Sequence, residues 1–218
     1  MPHEVATRRV LYEIPGMNAI TPREFEVSGI SGRIYQTDRS SGVVVIIEGY
    51  PDPGFVKHVG CRFMDMQWSI SMAQLIAASG MVAITYANRQ PAPDAVAVLD
   101  YAHAHWPRVA IWATSGHAPV AISMLNRASC AVLSNPVTSG TTLSARVPTF
   151  VIRSGYDETP GLNAALDGFV AQALTDNQPL TLVNHPEARH SFELNHDSDD
   201  TRLILGQALE FLRSRLHT

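Results

Sequence analysis

The sequence predicts an α/β fold: a mostly parallel central sheet with helices on both faces. Three observations predict it. Short, continuous apolar runs rich in β-branched residues recur along the chain, as strands buried on both faces require. Segments with apolar residues at helical spacing lie between them. The alternation implies right-handed crossovers, which bring the strand C-termini to one edge of the sheet, where ligands bind in open α/β folds.

Residues 1–23 read as an N-terminal arm and residues 24–218 as one domain. Residues 24–38 alternate through Phe25, Val27, Ile30 and Ile34 and are broken by Gly29 and Gly32, which predicts a two-stranded hairpin. Buried strands follow at residues 43–47, 81–86, 109–112, 131–133, 149–152 and 180–183. Trp68, Met72, Leu75 and Ile76 share one helical face, with Gly80 as the C-terminal stop. Ala95, Val98, Ala102 and Trp106 form a second stripe. Leu162, Leu166, Phe169 and Val170 form a third, opened by Thr159 as N-cap and Pro160 as first helical residue. Leu205, Leu209, Leu212 and Leu216 form the last. The connection 134–147 is polar and too short for a helical cap domain, so little or no cap is expected and the site should be open.

The chain has 218 residues, enough for one domain with a sizeable core. Hydrophobic residues make up 45% and charged residues 17%, which argues against disorder. A net charge of −4 with scattered basic residues leaves no footprint for nucleic acid or an anionic membrane. Residues 1–16 lack the apolar stretch of a signal peptide, and no run is long enough to span a bilayer. Cys61 and Cys130 are isolated and expected as thiols rather than a disulfide, so the expected compartment is the cytoplasm. A homo-oligomer is left open.

The chemistry concentrates at strand exits. Ser115 follows Ile111-Trp112-Ala113-Thr114 and precedes the small-residue start of a helix. Asp157 follows Val151-Ile152-Arg153-Ser154-Gly155-Tyr156, and His190 lies beyond the last strand. Ser, Asp, His is the chain order of the α/β-hydrolase triad. A serine hydroxyl needs a base to take its proton, and the base needs a carboxylate to hold its tautomer. Such a serine also stands on a sharp turn, with small residues two before and two after. Ala113 fits, whereas His117 stands where glycine is usual. His185 is the rival base. The backbone N–H groups of Gly116 and Tyr50 are the candidates for an oxyanion hole, Tyr50 lying in the Gly- and Pro-rich stretch after residues 43–47. Glu48, His117 and Arg153 are candidates for a supporting or substrate-binding role, Glu48 expected chiefly to bond backbone N–H groups. Arg153 and Arg189 flank the acid and the base; an arginine in a pocket there can select carboxylate-bearing substrates, but a solvated place on the surface is the favoured reading for either.

From Val43 to Leu216 the sequence resembles the dienelactone-hydrolase-like branch of the α/β-hydrolase superfamily. The resemblance is carried by Ile46-Ile47-Glu48-Gly49-Tyr50-Pro51, Trp112-Ala113-Thr114-Ser115-Gly116, Arg153-Ser154-Gly155-Tyr156-Asp157-Glu158 and His190-Ser191-Phe192, the last similar to the family's His-Gly-Phe. Dienelactone hydrolases proper use a cysteine nucleophile and a glutamate before the oxyanion loop. Glu48 matches that glutamate, but Ser115 occupies the nucleophile position, which favours serine esterase chemistry. The resemblance implies a small ester, lactone or thioester substrate and no cofactor.

Two other readings compete. His185, Glu187, His190, His196, Asp197, Asp199 and Asp200 crowd one stretch, but not at the one-turn spacing of a metal-binding helix; no metal is expected, and Asp197 to Asp200 suit the start of the last helix. A catalytically inactive binding protein with the same fold is the alternative, because fold alone does not establish catalysis.

Overall fold

A computed structural model describes residues 2–38 and 40–217. It contains eight strands: β1 (Arg23–Val27), β2 (Ile30–Tyr35), β3 (Val43–Ile46), β4 (Val82–Tyr86), β5 (Val109–Thr114), β6 (Cys130–Ser134), β7 (Thr149–Ser154) and β8 (Leu180–His185). They form one sheet in the order β1-β2-β4-β3-β5-β6-β7-β8. β1 and β2 form the expected hairpin, and β2 pairs antiparallel with β4. Every pairing from β4 through β3 to β8 is parallel.

Eight helices accompany the sheet: α1 (Pro2–Thr7), α2 (Asp52–Val59), α3 (Gln67–Ala78), α4 (Pro91–His105), α5 (Ala118–Ser123), α6 (Leu162–Thr175), α7 (Phe192–Asn195) and α8 (Asp199–Leu216). The strand period of two sorts the core into two layers. Val44, Ile46, Ala110, Trp112, Val132 and Ile152 face α3 and α8, where Trp68, Met72, Leu75, Leu205, Leu209 and Leu212 meet them. Val43, Val45, Ile47, Val109, Ile111, Ala113 and Leu133 face the other way, against Val98 and Leu99 of α4, Ala121 of α5 and Leu166 and Phe169 of α6. The arm joins the first layer through buried Val10 and Met17. The Val10 N–H donates to Ser71 Oγ at 2.9 Å, and the Leu11 N–H to the Glu193 carbonyl at 2.8 Å.

Some local expectations are corrected. α6 does not open at Thr159-Pro160: Gly161, at φ 75°, precedes its first residue, Leu162. Thr159 instead donates its N–H to Asp157 Oδ1 at 2.9 Å. The stretch after β3 is not all loop. α2 begins behind Pro51, with Pro53 in its first turn, where the missing N–H costs nothing. α8 is capped by Ser198, which accepts from the Thr201 N–H, while Asp199 and Asp200 occupy its first turn.

The C-terminal edge is held by backbone. Gly155 N–H donates to His185 O and Tyr156 N–H to Ala188 O, each at 2.8 Å, so the exits of β7 and β8 are tied together. A Cβ at Gly155 would lie 2.2 Å from the Pro186 carbonyl oxygen. Gly155→Ala should therefore push these exits apart and lower stability by about 1–3 kcal/mol. Urea denaturation measures this, and an unchanged midpoint would contradict the packing.

Candidate active site

Ser115 follows the last residue of β5 and adopts φ +50°, in the left-handed region. For a non-glycine residue that conformation costs about 1–3 kcal/mol and persists only where the surroundings enforce it. Here the Val137 N–H holds the Ser115 carbonyl at 3.0 Å from one side, and a 3₁₀ turn over Ser115–His117 leads into α5 on the other. The turn lifts Oγ clear of the backbone.

His190 lies between β8 and α7. Its Nε2 is 2.8 Å from Ser115 Oγ. Its Nδ1 is 2.6 Å from Asp157 Oδ2. Asp157 stands beyond the end of β7 with its side chain 0% exposed, and its other oxygen accepts the Thr159 N–H. The carboxylate accepts only, so Nδ1 carries the proton and Nε2 is left to accept from the serine hydroxyl. Asn195 Nδ2 donates to the His190 carbonyl at 2.9 Å and fixes the backbone behind the ring. The structure thus brings Ser115, His190 and Asp157 into one hydrogen-bonded series from three separate loops. His185 is elsewhere. It is buried against Phe192 and His196, and its Nε2 lies 3.1 Å from Thr201 Oγ1, which donates to the His196 carbonyl.

The stretch after β3 faces this series with its backbone almost fully engaged. The Glu48 N–H donates to Tyr86 Oη at 3.2 Å and the Gly49 N–H to His117 Nδ1 at 2.8 Å. Asn88 Nδ2 donates to both the Glu48 and the Tyr50 carbonyls, each at 3.1 Å. The Tyr50 N–H makes no backbone hydrogen bond. The Tyr50 side chain, 46% exposed, reaches across the Ser115 turn, and a Cβ at Gly116 would lie 1.8 Å from its hydroxyl oxygen, so a larger residue there would push the phenol aside. Asn88 is the positioning residue that sequence reading misses. Its one signal is an asparagine two residues beyond a buried strand.

His117 is buried, 6% exposed, with its ring 4.2 Å from that of Phe63 and edge-on to Tyr50 at 5.2 Å. Burial holds its pKa down to about 3, so the ring is neutral. Glu48 behaves differently from expectation. It is 1% exposed, and neither carboxylate oxygen bonds a backbone N–H or Ser115. Burial, and then the neighbouring Asp52, push its pKa up to about 9. Two such carboxyls side by side share one negative charge rather than carry two. Asp52 takes the Asn88 N–H on Oδ2 at 2.9 Å. Arg153 is also corrected. It grips both oxygens of Asp167, at 2.8 and 3.2 Å, and Asn184 Oδ1 at 3.0 Å, so its donors are spent away from Ser115. Arg189 pairs with Glu158 at 3.3 Å on the surface. A polar hollow of about 620 Å³ opens beside His190, Arg189 and His196. A separate apolar one of about 410 Å³ lies against Tyr50 and α2, lined by Phe55 and Val59.

No protein-family model matches the sequence, and no curated protein is similar to it in sequence. Solved structures are similar in fold. An esterase/lipase from an uncultured bacterium superposes with a TM-score of 0.72 at 12% identity, over 95% of this chain and 94% of that one. An α/β-hydrolase enzyme from a Medee basin deep-sea metagenome library does so at 0.63 and 17% identity, over 91% and 99%. The chain has the α/β-hydrolase fold. A third structure with this fold, esterase 2 of Thermogutta terrifontis phosphoramylated by tabun, superposes at 0.62 and 16% identity, over 94% and 96%.

The proton on Glu48 has a consequence for stability. The group's pKa is about 9 in the folded protein against 4.5 for the free side chain. Between those values the folded chain holds a proton that the unfolded chain has released, so stability falls as pH rises through this window. Glu48→Gln removes the linkage. The melting temperature of the variant should gain on wild type between about pH 5 and about pH 8. A constant difference across that range would mean that Glu48 is ionised in the fold.

Proposed function

We propose that this chain is a serine hydrolase acting on small carboxylic esters or related lactones and thioesters. The observation that carries the reading is the hydrogen-bonded series from Ser115 through His190 to Asp157, built on a serine held at positive φ. In this reading Ser115 Oγ attacks the acyl carbon while His190 Nε2 takes its proton. Asp157 holds the Nδ1 proton and stabilises the imidazolium that forms. The carbonyl oxygen gains charge and is met by the N–H groups of Gly116 and Tyr50. Collapse of the tetrahedral intermediate expels the alcohol, which takes the proton from His190. Water, activated by the same base, then releases the acid from the acyl-enzyme.

Several further observations support the reading. Tyr50 N–H is left free where its neighbours' polar backbone groups are taken. A chain of similar fold is an esterase modified by tabun. The apolar hollow beside Tyr50 suits a short acyl or alkyl group. Within the superfamily we place the chain nearest the dienelactone-hydrolase-like branch, on the sequence stretches around Glu48, Ser115, Asp157 and His190 alone. Glu48 makes no hydrogen bond to Ser115, which speaks against a glutamate that switches the nucleophile, and so for ordinary serine chemistry. The free thiols of Cys61 and Cys130 fit a reducing compartment, and we propose the cytoplasm. Among the described residues no helix is long and apolar enough to cross a membrane.

The test is intact-protein mass after incubation with a fluorophosphonate. Wild type should gain one adduct and Ser115→Ala none. Turnover of short-chain p-nitrophenyl esters should fall by at least about 10³-fold in Ser115→Ala and by about 10⁴-fold in Asp157→Asn, which leaves the imidazole in the wrong tautomer. His190→Ala should be as severe as the serine change. A well-folded wild type that takes no label would favour an inactive binding protein. A fatal His185→Ala beside a mild His190→Ala would transfer the base to His185.

A further inference from the structure

His117 stands two residues after the nucleophile, where the close passage of strand, turn and helix favours glycine. The stretch after β3 passes this turn closely. A Cβ at Gly49 would lie 2.7 Å from His117 Cα and 3.0 Å from the Gly116 carbonyl oxygen, both backbone atoms, so the facing loop must carry glycine there whichever side chain stands at 117.

At this close approach the His117 ring meets the loop, and its Nδ1 accepts the Gly49 N–H at 2.8 Å. An accepting Nδ1 places the ring proton on Nε2 and requires a neutral imidazole. The surroundings enforce both conditions: the ring is buried between Phe63, Tyr50 and Phe55. We propose that His117 is a positioning residue, a fixed acceptor that ties the loop after β3 to the Ser115 turn and so aims the Tyr50 N–H at the carbonyl oxygen of the substrate. The inference rests on the serine-hydrolase reading and adds to it a part that neither Ser115, His190 nor Asp157 supplies.

Why the loop needs such a tie follows from its composition. Gly49 has no Cβ to restrict its backbone. Asn88 fixes the carbonyls on either side, at Glu48 and Tyr50. The Glu48 carbonyl and the Gly49 N–H are opposite ends of one planar peptide, so Asn88 and His117 grip it from two sides and set the direction in which the chain enters Tyr50. Without an acceptor at His117, Gly49 can rotate and carry the Tyr50 N–H away from the developing charge. Such a donor acts in the transition state more than in substrate binding, so its loss falls on kcat and spares KM.

Three variants separate the acceptor from the ring. His117→Phe keeps a buried ring and deletes the acceptor. His117→Asn places an amide oxygen near the position of Nδ1 and restores it. His117→Ala removes both. Each is compared with wild type for melting temperature, fluorophosphonate labelling rate and kcat and KM on a short-chain p-nitrophenyl ester. The expected result is a kcat lowered about 10–100-fold in the Phe and Ala variants, with KM within about threefold and slower labelling. His117→Asn should recover most of kcat without being the more stable protein. A folded His117→Phe as fast as wild type, or an Asn variant no faster than the Phe variant, would overturn the proposal while leaving the labelled Ser115 in place. A wild type that neither labels nor turns over ester would remove the serine-hydrolase reading itself, and the positioning role with it.

Discussion

The site depends first on the lock between the exits of β7 and β8. Asp157 and His190 are 33 residues apart in sequence and stand on different loops, yet their side chains meet at 2.6 Å. That separation is set by backbone: parallel pairing up to Ser154 and His185, then the Gly155 and Tyr156 amides crossing to the β8 exit. A slip of one residue in this register would turn both side chains to other faces. Ser115 enters from β5, two strands from β7 and three from β8, so the sheet acts as the ruler for the whole series. Side chains placed by a hydrogen-bonded sheet need little reorganisation when charge develops, which is where catalytic electrostatics gain most.

The strands were legible because their signal is physical and local. Burial on both faces demands unbroken apolar runs, and residues 109–112 and 149–152 have them. Their polar ends were not: β5 runs on to Thr114 and β7 to Ser154, held by pairing with neighbours rather than by composition. Pro51, Pro53 and Gly54 give the α2 stretch the composition of a loop, although a proline in a first turn is harmless and the helix forms. Thr159-Pro160 has the form of a helix start, but the Thr159 N–H serves Asp157 and the helix begins later. Ser191, where the similar family has glycine, keeps the left-handed φ of +56° that glycine would adopt freely. The order Ser, Asp, His was readable as spacing. The roles of Glu48, Arg153 and Asn88 were not, because each is decided by a partner that no local pattern marks: Asp52 across a turn, Asp167 on α6, and the carbonyls of Glu48 and Tyr50.

Electrostatics divide the site into two halves. His190 faces a buried carboxylate and the nucleophile, so a positive charge on its ring has a partner waiting. The other half carries little charge. His117 is buried among aromatic rings and stays neutral, and Glu48 keeps its proton, so that it and Asp52 hold one negative charge between them. A cation at His117 would turn an acceptor into a donor facing an N–H. A second anion beside Asp52 would load charge under the loop after β3, which in the proposed mechanism is the loop that meets the negative oxygen.

The Ser115 turn shows how strain and sequence departure are reconciled. A serine at φ +50° and a histidine where glycine is usual would each weaken an isolated turn. Contacts from other elements hold both: the Val137 N–H on the Ser115 carbonyl, the Gly49 N–H on His117 Nδ1, and the Tyr50 phenol over Gly116. Because the contacts come from two other strand exits, those of β3 and β6, the strained conformation is over-determined, and relaxing it would break the packing of this edge. A glycine pattern applied to the Ser115 stretch alone misjudges this chain, because the space that the His117 ring fills is made by Tyr50, Phe55 and Phe63, which lie elsewhere in the sequence.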